Sequence, residues 1–371
     1  MPEGDLAPAT RPDAAAPATG FGRGFVRDAW YVAALSHEVG SELARYELLG
    51  EPVMIGRDRT GAVFALRDIC PHRAAPLSAG RQVDGPDGAP AVACPYHGWT
   101  FRTADGACSS IPSLTSGQDY ACSRIRVRRY SVRESQGLVW VWMTSDPRGP
   151  GEPDHEPAAF EGVVGGAPKL VERMDFESHV DHAVVGLMDP AHGPYVHQQW
   201  WWRSAHKQLE KAKAFEPRPY GFAMAAHAPS KNSRAYALLG GAPVTEITFR
   251  LPGLRWEHVK VGDKQVLALT CLTPLDDRRT RITQVFWSDH WVFGVLKPVI
   301  AAAARRFLRQ DGDMVNLQNE GLRYDPPLIW IDDADRQAKW YIALKREWAR
   351  SRAEGRAFRN PVEPTVLRWR S

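Results

Sequence analysis

Cys70-Pro71-His72 is followed, after 21 residues, by Cys94-Pro95-Tyr96-His97. Thiolates and imidazoles bind soft and borderline metals. Each pair follows a short apolar run (residues 63–69 and 91–93), so two hairpin tips would bring four ligands together. Two groups suit that set. One is a single tetrahedral Zn²⁺. The other is a [2Fe–2S] cluster with Cys70 and Cys94 on one iron and His72 and His97 on the other. Neutral imidazoles leave such a cluster less negative, which raises its potential and suits it to passing single electrons. Buried cysteines beside incidental histidines would not account for two such pairs, both ending apparent strands.

A second group lies more than ninety residues on, in Asp189-Pro190-Ala191-His192-Gly193-Pro194-Tyr195-Val196-His197. Asp189 and His192 are three apart and would share a helical face. His192 and His197 are five apart and would not. Gly193-Pro194 between them can break a helix and re-aim His197. Two histidines and one carboxylate with open positions form the facial triad of non-haem Fe(II) oxygen chemistry. Alone, the same residues also read as a helix cap before Pro190 with two incidental polar side chains.

The first motif resembles the Rieske cluster motif. The residues are Cys70-Pro71-His72-Arg73 with Ala75-Pro76-Leu77-Ser78 and Gly80, then Cys94-Pro95-Tyr96-His97-Gly98-Trp99 and Phe101. The gap is longer by a loop extension at residues 81–91, which can grow without moving the ligands. With the second motif, the chain resembles the Rieske non-haem iron oxygenases, most closely the single-subunit O-demethylase and monooxygenase group. That resemblance implies an α+β fold: an N-terminal all-β Rieske domain and a catalytic domain with an antiparallel sheet flanked by helices, helix-grip-like. It implies a [2Fe–2S] cluster on Cys70, His72, Cys94 and His97. It implies Fe(II) on His192, His197 and a carboxylate late in the chain. Asp189 would be no ligand but the bridge to His97 of a neighbouring subunit, in a head-to-tail homotrimer.

The segment Phe307-Leu308-Arg309-Gln310-Asp311-Gly312-Asp313-Met314-Val315-Asn316-Leu317-Gln318 is expected to supply the third ligand. Asp311 follows an apolar helical stretch and precedes Met314, Val315 and Leu317, which look inward-facing; it is chosen because the Gln310-Asp311 start and the later Gln318 resemble the family pattern. Asp313 is the second choice. Two departures stand out. Gly186 occupies the place where many members carry an Asn, three residues before the bridging Asp. His179 and His182 stand where an Asn-aromatic pair is common, and His182 is either an added pocket group or structural.

The elements that must position these groups differ between the two halves. Residues 1–24 are Ala-, Pro- and Gly-rich and read as a disordered arm. Short apolar runs with turns between them follow, at residues 30–33, 53–55, 63–66, 91–93, 99–101, 124–130 and 138–143, with Asp105-Gly106 as a hairpin turn. This suggests an all-β module over 25–145. A linker reading at 145–157 opens the catalytic module, 146–371. There, residues 245–250, 265–271 and 280–287 read as strands and 296–308 as a helix. Residues 334–352 read as a second helix, with Trp340, Leu344 and Trp348 on one face and Gly355 as its stop.

The 371 residues, 44% hydrophobic and 24% charged, are ordinary globular composition. The formal charge of +4 and the lack of a basic helix or RNA-binding aromatic motif argue against nucleic acid. No apolar stretch is long enough to span a membrane and no signal pattern opens the chain, so a cytoplasmic protein is expected. Five sparse cysteines argue against a disulfide framework.

The expected function is a terminal oxygenase component that activates O₂ to hydroxylate or O- or N-demethylate a small aromatic or alicyclic compound. Ring cis-dihydroxylation is the second reaction. No Walker loop or GxGxxG is present, so electrons would come from a separate reductase, with or without a ferredoxin. Arg124, Arg126 and Arg128 alternate with apolar residues, as either a solvated edge strand or a docking face for an acidic donor. Phe222, Met224, Leu238, Phe249, Leu267, Val285 and Trp287 are the expected pocket walls. One of Trp200-Trp201-Trp202 is expected in the pocket or the subunit interface. Trp140 and Trp142 are expected to pack on one face. The competing classes are a Rieske electron carrier without oxygenase activity and a zinc-containing binding protein.

Overall fold

A computed structural model of the chain describes residues 21–118, 120–146, 149, 151–197, 208–229 and 239–371. Two four-stranded antiparallel sheets build the N-terminal part. One orders β2 (Ala44–Leu48), β3 (Glu51–Arg57), β4 (Val63–Arg67) and β9 (Arg129–Tyr130). The other orders β5 (Arg81–Asp84), β6 (Pro90–Ala93), β7 (Thr100–Arg102) and β8 (Cys108–Ser110). Between them lies a core of Met54, Phe64, Leu66, Leu77, Val92 and Phe101 that ends on Cys70 and Cys94. Asp105-Gly106 turns β7 into β8, with Gly106 at φ 70°.

A third sheet, β1 (Ala29–Leu35), β11 (Leu138–Met143) and β10 (Val132–Ser135), joins this part to the rest. Its side chains alternate between two cores, as a doubly covered sheet requires. Trp30, Trp140 and Trp142 face one core, while Tyr31, Val139 and Val141 face the other. Trp140 and Trp142 therefore pack on one face, as expected.

The C-terminal part is one antiparallel eight-stranded sheet. Its order is β12 (Leu170–Phe176), β18 (Thr280–Ser288), β17 (Lys264–Pro274), β16 (Leu254–Val261), β15 (Val244–Arg250), β14 (Gly221–His227), β13 (Glu210–Arg218) and β19 (Thr365–Arg370). Helices α1 (Val180–Met188), α2 (Gly193–Val196), α3 (Val292–Val295), α4 (Lys297–Leu322) and α5 (Arg336–Ala353) surround it. On α5, Trp340, Leu344 and Trp348 are buried against Phe215, Phe222 and Phe249. Gly355, at φ 59°, follows the end of that helix.

Several expectations are corrected here. Residues 124–130 are not one continuous strand: Cys122–Arg124 is a short 3₁₀ turn, Arg126 makes an isolated bridge to Ala107, and Arg129–Tyr130 pair with β4. Arg128 is 2.8 Å from Glu51 with its side chain nearly buried, and Arg126 reaches Asp105, so the three arginines are not a free docking row. Phe222, Met224 and Phe249 are core against α5, and Leu267, Val285 and Trp287 are core against Trp140 and Trp142. Both sheet faces are covered at those positions. Leu238 and Trp200-Trp201-Trp202 lie outside the described residues. The helix expected at 296–308 runs on to Leu322. Residues 21–24 of the expected disordered arm pack on α1: the Gly22 amide donates to Asp181 at 2.7 Å. The expected linker is also packed, with Trp30 Nε1 donating to the His155 carbonyl at 2.7 Å. No helix among the described residues is long and apolar enough to cross a membrane.

Candidate metal centres

Two loops carry the four N-terminal ligand candidates. In the first, the Cys70 amide donates to Ala75 O and the Ala74 amide to Cys70 O, both at 2.9 Å. In the second, the Cys94 amide donates to Trp99 O at 2.8 Å, and Gly98 closes the turn at φ 71°. Gly80 brings the loops together. A Cβ there would lie 2.1 Å from the Ala93 carbonyl, so only glycine lets the first loop pass the strand that leads into Cys94. Buried Asp68 supports the first loop by accepting from the Ser78 amide and hydroxyl, each at 2.7 Å.

The structure brings all four candidates together. The Cys70 and Cys94 thiols are buried in one core. Burial raises the Cys70 pKa, opposed by the amides of His72 and Arg73 directed at its sulfur. The His72 and His97 rings lie 4.6 Å apart, and His72 stacks on Trp99 at 4.5 Å. Local desolvation at the ring, then the charges of His97 and Arg73, lower the pKa of the exposed His72, which favours the neutral imidazole. His97 Nδ1 is buried without a hydrogen-bond partner, the condition of a ligand atom whose partner is a metal. Two thiols and two imidazoles fit a Rieske cluster.

The second centre is assembled from distant parts of the chain. α1 ends at Met188 because Asp189 precedes Pro190 and is pushed out of helical geometry (φ −63°, ψ 119°). Asp189 and His192 therefore do not share a helical face, as the spacing had suggested; they flank the turn between α1 and α2. Asp189 Oδ1 instead accepts from the Ala191 amide at 2.7 Å, and Oδ2 lies 3.6 Å from His192 Nδ1. Pro194 sits in the first turn of α2, and His197 follows its end, turned back toward His192.

The two Nε2 atoms are 3.1 Å apart. Asp311 Oδ1, from the middle of α4, is 3.1 Å from His197 Nε2 and 3.7 Å from His192 Nε2. His192, His197 and Asp311 are the one group of this kind among the described residues, with ligand atoms within 4.8 Å of one another. Ligand atoms about 2.1 Å from a common ion at right angles would lie ~3 Å apart, so the set fits a divalent metal with open positions. Burial opposes charge on His192, but Asp189 and Asp311 outweigh it, and its pKa is raised.

Asp313, the second choice, is exposed and outside this group. Met314 and Leu317 are exposed too; the inward stripe of α4 is Ala301, Leu308, Gly312 and Val315. A Cβ on Gly312 would meet Phe176 at 3.2 Å, so this glycine lets α4 settle onto β12 beside Asp311. Two neighbours were missed as contacts. Gln310 Oε1 lies 3.2 Å from His197 Nδ1, and Phe307 stacks on the His197 ring at 4.1 Å. Helical spacing was the available signal, since positions 307, 310 and 311 share a face.

His179 and His182 sit at the opposite end of α1 from Asp189. His179 caps α1 by accepting from the Asp181 amide and reaches Gly24 O at 3.1 Å. His182 packs edge-on against Phe21 at 4.8 Å. Both therefore serve the fold around the 21–24 strap. Gly186 faces open space, with nothing within 4 Å of a Cβ built on it.

Comparison with known proteins accords with this arrangement. The Rieske [2Fe–2S] domain model matches residues 29–130. The chain is a Rieske-domain protein homologous to Rieske oxygenases. It is 35% identical over 192 residues to the oxygenase component of dicamba O-demethylase from Stenotrophomonas maltophilia, covering 50% of this chain and 52% of that one. It is 43% identical over 124 residues to a toluene-4-sulfonate monooxygenase iron-sulfur subunit from Comamonas testosteroni, covering 33% of each. The chain thus spans about half or less of the curated relatives it matches. Its fold is that of dicamba monooxygenase bound to dicamba, with TM-score 0.70 and 22% identity over 90% of this chain and all of the other. A caffeine-bound NdmA variant from Pseudomonas putida gives TM-score 0.69 and 18% identity, covering 92% of this chain and 96% of the other. The fold is therefore the expected α+β architecture of a Rieske oxygenase.

Proposed function

We propose that the chain is a terminal oxygenase component that hydroxylates or O- or N-demethylates a small aromatic or alicyclic compound. Residues 25–145 would be the Rieske domain and 146–371 the catalytic domain. The observation that carries this reading is the convergence of His192, His197 and Asp311, from two separate segments, beside the charged Asp189. A Rieske electron carrier has no use for such a group. The oxygenase and demethylase names of the relatives support the same reading.

Cys70, Cys94, His72 and His97 would hold the cluster, and His192, His197 and Asp311 an iron. When bound, the two centres would supply single-electron transfer and O₂ activation. The chain's own residues do the positioning. His197 Nδ1 lies 3.2 Å from the Gln310 Oε1 acceptor, a contact that would orient the ring with Nε2 toward the iron beside Asp311. Phe307 holds the same ring in plane and keeps water from one face. Asp189 is about one-third exposed, so its carboxylate can hold His192 and accept a hydrogen bond from outside the chain.

Among the described residues, no hydrogen bond, ion pair or ring contact joins the cluster loops to the His192 centre. Meanwhile His72 is exposed and Tyr96 beside His97 is 58% exposed. Both features support a head-to-tail homotrimer in which His97 of the partner subunit meets Asp189. A separate reductase, with or without a ferredoxin, would feed the cluster.

The test is anaerobic purification followed by metal analysis and electron paramagnetic resonance of the dithionite-reduced protein. About three irons per chain with a mixed His/Cys cluster signal are expected, falling to about two in the His192→Ala, His197→Ala double variant. A parent protein that holds only cluster iron after Fe(II) is added back would leave an electron carrier and overturn the proposal.

A further inference from the structure

The central strands of the eight-stranded sheet are sealed on one face and accessible on the other. On β17, Leu267 and Leu269 are fully buried while Ala268 between them is half-buried. On β18, Val285 and Trp287 are fully buried while Gln284 and Phe286 are half-buried. The sealed face meets Trp140 and Trp142. The accessible face is the one whose Phe249, Leu272 and Ile282 share a core with α1 and α5. Asp311 is on this side of the sheet too, next to Gly312, which settles against Phe176.

One row of residues crosses that face. Direct cross-strand partners point the same way. Phe249 pairs with Arg255, Arg255 with Thr270, Thr270 with Gln284, and Gln284 with Glu172. At one end Phe249 meets Tyr341 of α5, with ring centroids 5.7 Å apart. At the other, Glu172 takes Arg305 of α4 at 2.8 Å. Between the two helices stand half-buried Arg255, buried Thr270 and half-buried Gln284. Among the described residues, no hydrogen bond or ion pair reaches any of these three side chains. Glu257, two residues along β16 on the same face, accepts from the Thr245 hydroxyl at 2.9 Å and makes no ion pair with Arg255. A guanidinium drawn partly out of water loses hydration without gaining a counter-charge here. A carboxylate or sulfonate would restore it, because the planar fork can give such a group two parallel hydrogen bonds.

We propose that Arg255 is the anion-recognising residue of the substrate site, so that this chain acts on a small organic acid whose carboxylate or sulfonate pairs with Arg255. Thr270 and Gln284 donate hydrogen bonds beside it. The inference rests on the oxygenase reading above, since it names the substrate class of the same site. Arg255 binds and orients the acid, and the rest of the substrate extends toward α4, which carries Asp311.

The experiment measures binding of benzoate, benzenesulfonate and neutral benzamide to the cluster- and iron-loaded protein by isothermal titration calorimetry, with metal analysis of the same sample. One acid or both should bind about tenfold or more tighter than benzamide, and Arg255→Gln should weaken that acid about 10- to 100-fold without changing benzamide. Arg255→Lys, which keeps the charge but not the fork, should recover part of the loss. The tighter of the two acids tells carboxylate from sulfonate. Absence of binding by both acids, or equal affinity for acids and amide, would overturn the proposal. So would parent-like acid affinity in Arg255→Gln, the result expected if the anion sits on the iron instead. Metal analysis keeps the two readings apart. A sample with cluster iron alone, whose acid binding still depends on Arg255, would sink the oxygenase reading and leave the anion site standing.

Discussion

Gln310 Oε1 lies 3.2 Å from His197 Nδ1, while His197 Nε2 stands 3.1 Å from Asp311 Oδ1 on the next residue of the same helix. One turn of α4 thus supplies both a ligand candidate and the group that orients a second one. Removing the acceptor in Gln310→Leu should free the ring to rotate and flip its tautomer. Fe(II) affinity should fall about 10- to 100-fold. Gln310→Glu, which keeps an acceptor, should retain most of it. Anaerobic Fe(II) titration of the metal-stripped protein reads this directly, and equal affinities in the parent and the Leu variant would remove Gln310 from the site.

Asp189 does two things that one substitution separates. Its Oδ1 accepts the Ala191 amide and forms the turn after α1, while its charge faces His192. Asn at this position keeps the turn acceptor and deletes the charge. Asp189→Asn should therefore fold and bind both centres as the parent does. Product formation per reduced cluster should drop by about 10- to 100-fold or more, as for other lost outer partners of metal-site histidines. Single-turnover assays with dithionite-reduced protein, alongside iron counts, measure both. Normal turnover in the Asn variant would mean that the charge carries no electron-transfer role.

How much of this was legible followed from how local each signal was. The cluster motif reads directly because its ligand candidates lie within two loops, and Gly80 and Gly98 are demanded by those loops alone. His192 and His197 read as a pair for the same reason. Asp311 was reached through the family pattern, since nothing near it in sequence says that α4 crosses β12. The stripe Ala301, Leu308, Gly312 and Val315 is thin, so the apolar pattern marks a helix only to 308 although α4 runs to Leu322. The shared helical face of Asp189 and His192 failed because Pro190 excludes it. The expected pocket walls are packed in the two cores, because alternation identifies two faces of a strand, not which partner covers each. Here α5 covers one face and the Trp140–Trp142 strand the other.

A buried ion pair ties the two ends of the chain to α1. Asp181 is fully buried and accepts from Lys345 Nζ at 2.6 Å, Tyr341 Oη at 2.5 Å and the Gly22 amide at 2.7 Å. Lys345 also donates to the Arg23 and Gly24 carbonyls. Removing one member leaves the other charged and buried, so Lys345→Met should cost ~3–5 kcal/mol. The Asp181→Asn, Lys345→Met double variant should cost less than the sum of the two singles, because neither charge is then stranded. Urea unfolding of the four proteins gives the coupling. Strict additivity would show that the pair contributes only through packing.

His182 should make stability fall in mild acid. Burial is the main cause that lowers its pKa, helped by His179 and Lys345 and opposed by Asp181, from the ordinary 6.5 to about 4. The folded state thus holds the ring neutral where the unfolded chain would protonate it. Between pH 6.5 and about 4 the unfolded state binds the extra proton, so stability present above 6.5 is lost as pH falls through that window. His179 and His155 are also lowered, burial first, and add to the same trend. In His182→Phe the ring still packs on Phe21 and forfeits no hydrogen bond, since His182 Nδ1 has no partner and the edge-on contact is aromatic. The variant should match the parent near pH 5 or exceed it, and lose stability between pH 7 and 5 with one proton less of slope. Urea midpoints at pH 7, 6 and 5 decide this; parallel curves for the two proteins would mean that His182 is protonated equally in both states.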